Sequence, residues 1–252
     1  MRMRDMVAIV TGGASGFGAG ICRAYAAEGA RVVVGDLDES KGAAVAAEIC
    51  TSGADALFCR ADVSQSQDVK RLVEVATRRH GRLDVMVNNA GLCHRNQPML
   101  SVTEEEFDRI LQVNVKSLYL SAVACVPVFR ELGGGAFVNV ASTGGLRPRP
   151  GLTWYNGSKG AAIVLTKSMA VELAPDRIRV NAICPVLGET GMLTTAMGLE
   201  DTPENRARFT SSIPLGRLSR PADVANAAVF LAEPASEFLT GVCLEVDGGR
   251  SV

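Results

Sequence analysis

Tyr155 and Lys159 stand four residues apart in "TWYNGSKGAAIVLTKSMAVELA", a stretch from Thr153 to Ala174 that otherwise reads as an apolar helix. Residues i and i+4 share one helix face, so a phenol and an ammonium lie one turn from each other. Tyrosine titrates near 10, too high for a base at neutral pH. A fixed ammonium about 6 Å away, at an effective dielectric of about 20, favours the phenolate by about 3 kcal/mol, or about two pKa units. Such a phenol takes a proton from an alcohol or gives one to a carbonyl. An isolated Tyr/Lys pair also has a plainer use: the ring packs and the lysine stem runs along apolar surface to solvent.

A second group lies near the N-terminus. "TGGASGFG", Thr11 to Gly18, follows the apolar run "VAIV" and opens a helical segment. In open α/β sheets the first strand-to-helix turn is a phosphate site, where glycine permits close backbone approach and the helix N-terminus offers N–H groups. The spacing Gly12-x3-Gly16-x-Gly18 differs from the common GxGxxG fingerprint, so a turn needing glycine for steric reasons alone stays open here. The next strand-like run, "RVVVGD", ends at Asp36, 20 residues after Gly16. An acid at that place accepts hydrogen bonds from the adenosine ribose hydroxyls. Neither Ser15 nor Leu37 is a cation able to meet a 2′-phosphate. The combination implies NAD(H) rather than NADP(H).

Strand and helix patterns alternate to position these residues. Strands are expected at 7–10, 31–36, 56–63, 83–91, 134–142, 176–185 and 241–249. Helices are expected at 16–28 and 39–53, from a Ser64 cap to "RRHG", from the Thr103/Glu106 capping box towards Leu132, and at 153–174, 203–211 and 220–236. Pro127 is expected to kink or end the fourth of these. The alternation implies one α/β domain over 1–252, a doubly wound parallel sheet of about seven strands with helices on both faces. Residues 187–215 are long for a connection and read as a lid over a site.

Composition narrows the function classes. The chain has 252 residues, 47% apolar and 21% charged, with a formal charge of −1, which points away from nucleic acid and anionic lipid as partners. Seven cysteines, without a CxxC pair, fit reduced cytoplasmic thiols better than a disulfide framework or zinc site. With only His80 and His94 available, no metal is expected. The apparent strand from about Met6 leaves no room for a signal peptide, and "LYLSAVACVPVF" is too short to span a bilayer.

Five pieces now stand in a definite order: "TGGASGFG", "NNAG" at 88–91, Asn114, Ser142 and Tyr155-x3-Lys159. Together they resemble the short-chain dehydrogenase/reductase family over nearly the whole chain. The resemblance implies a seven-stranded Rossmann-type sheet and an NAD cofactor held by Gly12, Ser15, Gly16, Phe17, Gly18, Asp36, Leu37, Asp62, Val63, Asn88, Asn89, Ala90, Gly91, Tyr155, Lys159, Pro185 and Thr190. Asp62-Val63 would lie against adenine and Thr190 near the carboxamide. Ser142, Tyr155 and Lys159 would be catalytic, Ser142 orienting the substrate oxygen, with Asn114 supporting Lys159 through water. One departure is "CPVLGET": Val186 replaces the usual glycine and Gly188 a usual branched residue, which puts the local backbone path in question.

The implied activity is NAD-dependent hydride transfer between the nicotinamide and a small alcohol or carbonyl. "HRNQP", "GLTWYNGSK", "GETGM" and "DTPENR" are similar to aryl-aldehyde and aryl-alcohol dehydrogenases of the family. Substrate contacts are expected from His94, Arg95, Arg147, Arg149, Trp154 and Val186, suiting an anion beside an aromatic ring; the arginines facing solvent or a second subunit is the plainer alternative. The competing activities are a 3-oxoacyl-carrier-protein reductase, usually NADPH-linked, and a catalytically silent NAD(H)-binding sensor or scaffold. "GVCLEVDGG" resembles members that assemble as homotetramers, with a dimer as the alternative.

Overall fold

The computed structural model describes residues 1–252. Its strands are β1 (Val7–Thr11), β2 (Arg31–Asp36), β3 (Ala56–Arg60), β4 (Val85–Asn88), β5 (Gly135–Val140), β6 (Ile178–Pro185) and β7 (Cys243–Val246). All pair in parallel, in the order β3-β2-β1-β4-β5-β6-β7. The main helices are α1 (Gly16–Ala27), α2 (Glu39–Thr51), α3 (Ser66–His80), α4 (Glu104–Leu111), α5 (Ser117–Glu131), α6 (Thr153–Leu173), α7 (Leu193–Met197), α8 (Pro203–Thr210) and α9 (Pro221–Ala232). β1 is buried along its whole length, because helices cover both faces of a parallel sheet.

Alternation along the strands divides the core. Ala8 and Val10 of β1 face a cluster with Ile21, Tyr25, Val45, Val224 and Leu231 from α1, α2 and α9. Val7 and Ile9 face the opposite layer, with Leu72, Cys125, Phe129 and Leu173 from α3, α5 and α6. Strand order reverses between β1 and β4, where Val10 pairs with both Val34 and Val87. A crevice opens at the carboxyl ends there, as the winding requires.

Several local expectations are corrected. The helix from Thr103 breaks at a π turn, Gln112–Lys116, and continues through Pro127 as α5. Pro127 is on the exposed side, where the backbone bond it cannot donate costs least. Ser64 does not cap α3: its amide and hydroxyl both donate to Asp62 Oδ1, at 2.9 and 2.7 Å, and Gln65 is the cap. β3 stops at Arg60, and α7 is an additional helix within 187–215. The stretch Glu104–Glu131 is long and apolar enough to cross a membrane by length and composition. Here its Leu118, Cys125 and Phe129 are packed in the protein core.

Candidate active site

The glycine turn is built by close contacts around β1. A Cβ on Gly18 would lie 2.0 Å from the Gly12 carbonyl oxygen, so no side chain fits there. Gly16 has φ +52°, in the left-handed region glycine adopts without penalty. Asn89 Nδ2 donates to the carbonyls of Thr11 and Gly12 at 2.9 and 3.1 Å. Asp36 accepts from the amides of Ala14 and Asp38 at 2.9 and 3.0 Å, so this acid also braces the turn. Each carboxylate oxygen keeps acceptor capacity for a further donor. Ser15 precedes α1 without a side-chain cap bond, leaving the first-turn amides to an anion. These residues therefore fit a dinucleotide.

One cavity of about 1170 Å³ runs from Asp36, Leu37, Asp62 and Val63, past Gly12, Ser15, Gly16, Phe17, Asn89, Ala90 and Gly91, to Ser142, Tyr155, Lys159, Pro185, Val186 and Thr190. That exceeds the range of about 300–1,000 Å³ usual for small-ligand sites and leaves room for substrate beside a cofactor. Gly18 packs behind the turn. Asn88 is buried and donates to Asn139 Oδ1 at 2.8 Å, so it ties β4 to β5 and does not line the groove.

Ser142 lies just beyond β5 with extended backbone, and its Oγ accepts from the Gly144 amide at 3.0 Å. Burial pushes the Tyr155 phenol up to about 12, while its hydrogen bond with Ser142 draws it down. Burial pushes the Lys159 ammonium down to about 8. Lys159 Nζ donates to the Val140 carbonyl at 2.8 Å and lies 5.9 Å from the Tyr155 ring centroid. The protein alone thus holds the phenol above its ordinary value, and the Lys159 ammonium does not offset the desolvation. Desolvation governs both groups, and the ammonium is directed at Val140.

Asn114 lies in the π turn, buried, outside the cavity lining. Its Nδ2 donates to the Leu92 carbonyl and Ser158 Oγ, at 2.8 and 2.9 Å, and its Oδ1 accepts from the Leu92 amide at 2.8 Å. The side chain is therefore occupied in pinning the segment after β4 to α6. Gly91 is held in that segment, where an added Cβ would come within 3.3 Å of Lys159 Nζ.

The departure at "CPVLGET" has a steric reason. A Cβ on Gly188 would come within 2.3 Å of the Phe17 ring and 2.8 Å of Ser219 Oγ. The large residue in the glycine turn occupies the room a branched residue at 188 would need. Val186 is buried and joins Leu193, Met197, Ile213 and Leu218 in a small cluster, anchoring the 187–215 segment to the end of β6.

The expected substrate residues do not gather in one place. His94 is buried, its Nδ1 2.8 Å from the Arg95 carbonyl, and Arg95 faces a separate surface hollow beside Gly198. Trp154 donates to the Met99 carbonyl at 3.0 Å and meets Phe107 edge-on at 5.3 Å; neighbours on a helix point in different directions, so it turns away from the cavity Tyr155 faces. Arg147 and Arg149 do line the cavity, as do Phe209, Ser212 and Arg250, which the sequence reading missed. "DGG" before Arg250 was the available signal, since Gly248 and Gly249 have φ +63° and +86° and turn the chain back to the site.

A doubly wound parallel sheet with a dinucleotide-sized groove at its switch point, and Ser142, Tyr155 and Lys159 along its wall, defines a Rossmann-type oxidoreductase. A family profile described as enoyl-(acyl carrier protein) reductase matches residues 12–251. The chain is 53% identical to 4-formylbenzenesulfonate dehydrogenase of Comamonas testosteroni over 252 residues, covering 100% of both. It is 38% identical to cyclopentanol dehydrogenase of the same species over 250 residues, 98% of each. A crystal structure of 3-ketoacyl-(acyl-carrier-protein) reductase from Brucella melitensis complexed with NADH superposes with a TM-score of 0.93, at 46% identity, covering 99% of this chain and 100% of that one. The chain belongs to the short-chain dehydrogenase/reductase family, and it is an NAD-dependent oxidoreductase acting on CH–OH groups.

Proposed function

We propose that this enzyme interconverts an aromatic alcohol and its aldehyde, with Tyr155 as the general acid and base. The observation that carries the reading is that Ser142, Tyr155 and Lys159 line the same groove whose far end presents Asp36. Bound NAD supplies the hydride acceptor and, in its oxidised form, a positive ring. Ser142 donates a hydrogen bond to the substrate oxygen and stabilises charge developing there. Tyr155 Oη takes the hydroxyl proton in oxidation and returns it in reduction. Lys159 positions the nicotinamide ribose and places positive charge beside the phenol. Asp36 accepts from the adenosine ribose, and the Asp62-Val63 pair walls the adenine. Residues 187–215, carrying Thr190, Met192 and Phe209 on the cavity wall, act as a lid that keeps water out. The test is a turnover screen of aromatic, cyclic and aliphatic alcohols with NAD and NADP supplied separately.

Asp36→Ala gives a specific expectation for cofactor choice. The variant is expected to bind NADH about 10-fold more weakly, as loss of a charge-assisted hydrogen bond implies, and to lose discrimination against NADPH. Fluorescence titration with each nucleotide checks this; NADPH binding to the native protein as tightly as NADH refutes the assignment.

The Brucella relative's name keeps β-ketoacyl thioester reduction as a second reading, which acetoacetyl thioester turnover tests directly. We further propose a homotetramer in a reducing cytoplasm. Seven free cysteines suit that compartment. Tyr119 and Val123 on α5, Val164 and Val171 on α6, and Phe238 before β7 are exposed apolar side chains, of the kind subunit contacts cover. Light scattering is expected to give four times the mass of the 26.5 kDa chain; a monomer at micromolar concentration refutes it.

A further inference from the structure

Arg147, Arg149 and Arg250 stand together in the cavity wall although they come from two distant segments. Arg149 is pushed down by burial and by the like charges of Arg250 and Arg147. Arg149 Nη2 donates to Ser212 Oγ at 2.8 Å. Arg147 Nη1 donates to the Arg250 carbonyl at 3.0 Å and to the main-chain oxygen of Val252 at 3.2 Å. Arg250 Nε is buried and has no hydrogen-bond partner. None of the three is paired with an Asp or Glu side chain. Arg206 and Arg217, which do not line the cavity, are instead paired with Asp201 and Asp223. The acids that do line the cavity are Asp36, Asp62, Glu105 and Asp108, on β2, the loop after β3, and α4. None belongs to the segments that carry these arginines.

Clustered like charges, two of them half-buried on Arg149 and Arg250 and without an acidic side chain as partner, oppose folding, and a buried donor without an acceptor calls for an explanation. Guanidinium groups present planar donors matched to oxyanions. Phe209, Leu152 and Met192 line the same cavity and give an apolar bed for a ring. We propose that Arg147, Arg149 and Arg250 form an oxyanion-binding subsite that holds a carboxylate or sulfonate carried by the substrate, while Ser142 and Tyr155 hold its reacting oxygen. The inference rests on the aldehyde/alcohol reading and assigns the C-terminal segment a part in specificity. The C-terminal segment is held by two hydrogen bonds: the Leu215 amide donates to the Gly248 carbonyl at 3.1 Å, and the Ser251 amide to the Asp247 side-chain Oδ2 at 2.7 Å. The 187–215 segment and the C-terminal segment are therefore tied to each other at Leu215 and Gly248.

The test uses NADH-dependent reduction of 4-formylbenzoate, 4-formylbenzenesulfonate and uncharged 4-methylbenzaldehyde by the full-length protein. One or both anionic aldehydes are expected to exceed the neutral one in kcat/KM by about 100-fold, and the better of the two tells carboxylate from sulfonate. Arg250→Met and Arg149→Met are expected to lower kcat/KM for the anionic aldehydes by about 30-fold, mainly through KM, and for the neutral one by less than about threefold. Benzoate and benzenesulfonate are expected to inhibit neutral-aldehyde turnover by the native enzyme far more strongly than benzamide, a measurement that needs no variant to fold. Equal turnover of charged and neutral aldehydes, equal losses in the variants, or inhibition by benzamide matching that by the anions overturns the subsite. Failure to reduce any aromatic aldehyde overturns instead the reading on which it rests.

Discussion

Tyr155→Phe is expected to lower kcat by about 10³-fold in both directions, within the range one positioned acid–base group supplies, and to leave the NADH dissociation constant within about threefold of native. The substitution removes only Oη. The ring stays, so the groove keeps its shape. Burial holds this phenol high, at about 12, which fixes the sign of the pH dependence. Carbonyl reduction needs the protonated phenol and stays flat across neutral pH, falling only in alkali. Alcohol oxidation needs the phenolate and rises with pH from neutrality. The positive ring of bound oxidised nicotinamide adds to the Lys159 ammonium in favouring the phenolate, so the oxidation profile levels off below about 12. Parallel pH–rate profiles in the two directions check this; substantial residual turnover in the Phe variant, or a profile of opposite slope, defeats the assignment.

Lys159→Met is expected to do two opposite things: abolish useful turnover and raise the melting temperature. The buried ammonium is pushed down to about 8 from its ordinary value of 10.5. Between those values the native state binds fewer protons than the unfolded chain, so stability rises with pH across that window. Below about pH 8 the native protein therefore carries the full cost of charging this lysine, on the order of 3 kcal/mol. The variant orphans the Val140 carbonyl that Nζ now serves, at a cost of about 1 kcal/mol. The difference, about 2 kcal/mol, corresponds to a rise of about 5 °C for a chain of this size. Calorimetry at pH 7 and at pH 10 tests it, since the gain is full at neutral pH and fades as pH approaches 10.5. A variant that melts lower than native at pH 7 refutes this account of the site.

The pieces legible in the sequence were those whose chemistry admits few residue types. The glycine turn, Asp36, Ser142, Tyr155 and Lys159 all face one groove, because strand ends and helix starts leave little choice of where they go. Caps were legible for the same reason: Thr103 and Glu106 form the capping box their spacing implies, and Gly81 ends α3 with φ +74°. Side chains whose direction depends on tertiary packing were not. Trp154 sits beside Tyr155 in sequence yet packs on Phe107, and His94 turns inward to the Arg95 carbonyl. The π turn at 112–116 has no signature in a helical pattern, so Pro127 drew the expectation of a break that falls three to four turns earlier. The balance of desolvation against charge at Tyr155 was likewise out of reach, because burial depth is a property of the packed molecule.

Phe17 and Gly188 meet ring against backbone across the mouth of the groove, and that contact has a consequence for any attempt to redesign it. The two positions behave as a single locus split between the first and sixth strand ends. Enlarging residue 188 while the aromatic ring remains forces the loop before Thr190 outward, and with it the wall beside the cofactor. Trimming residue 17 alone opens a hole at the turn. Libraries that vary one site at a time will find both directions blocked, whereas paired exchanges restore the volume and leave the path open.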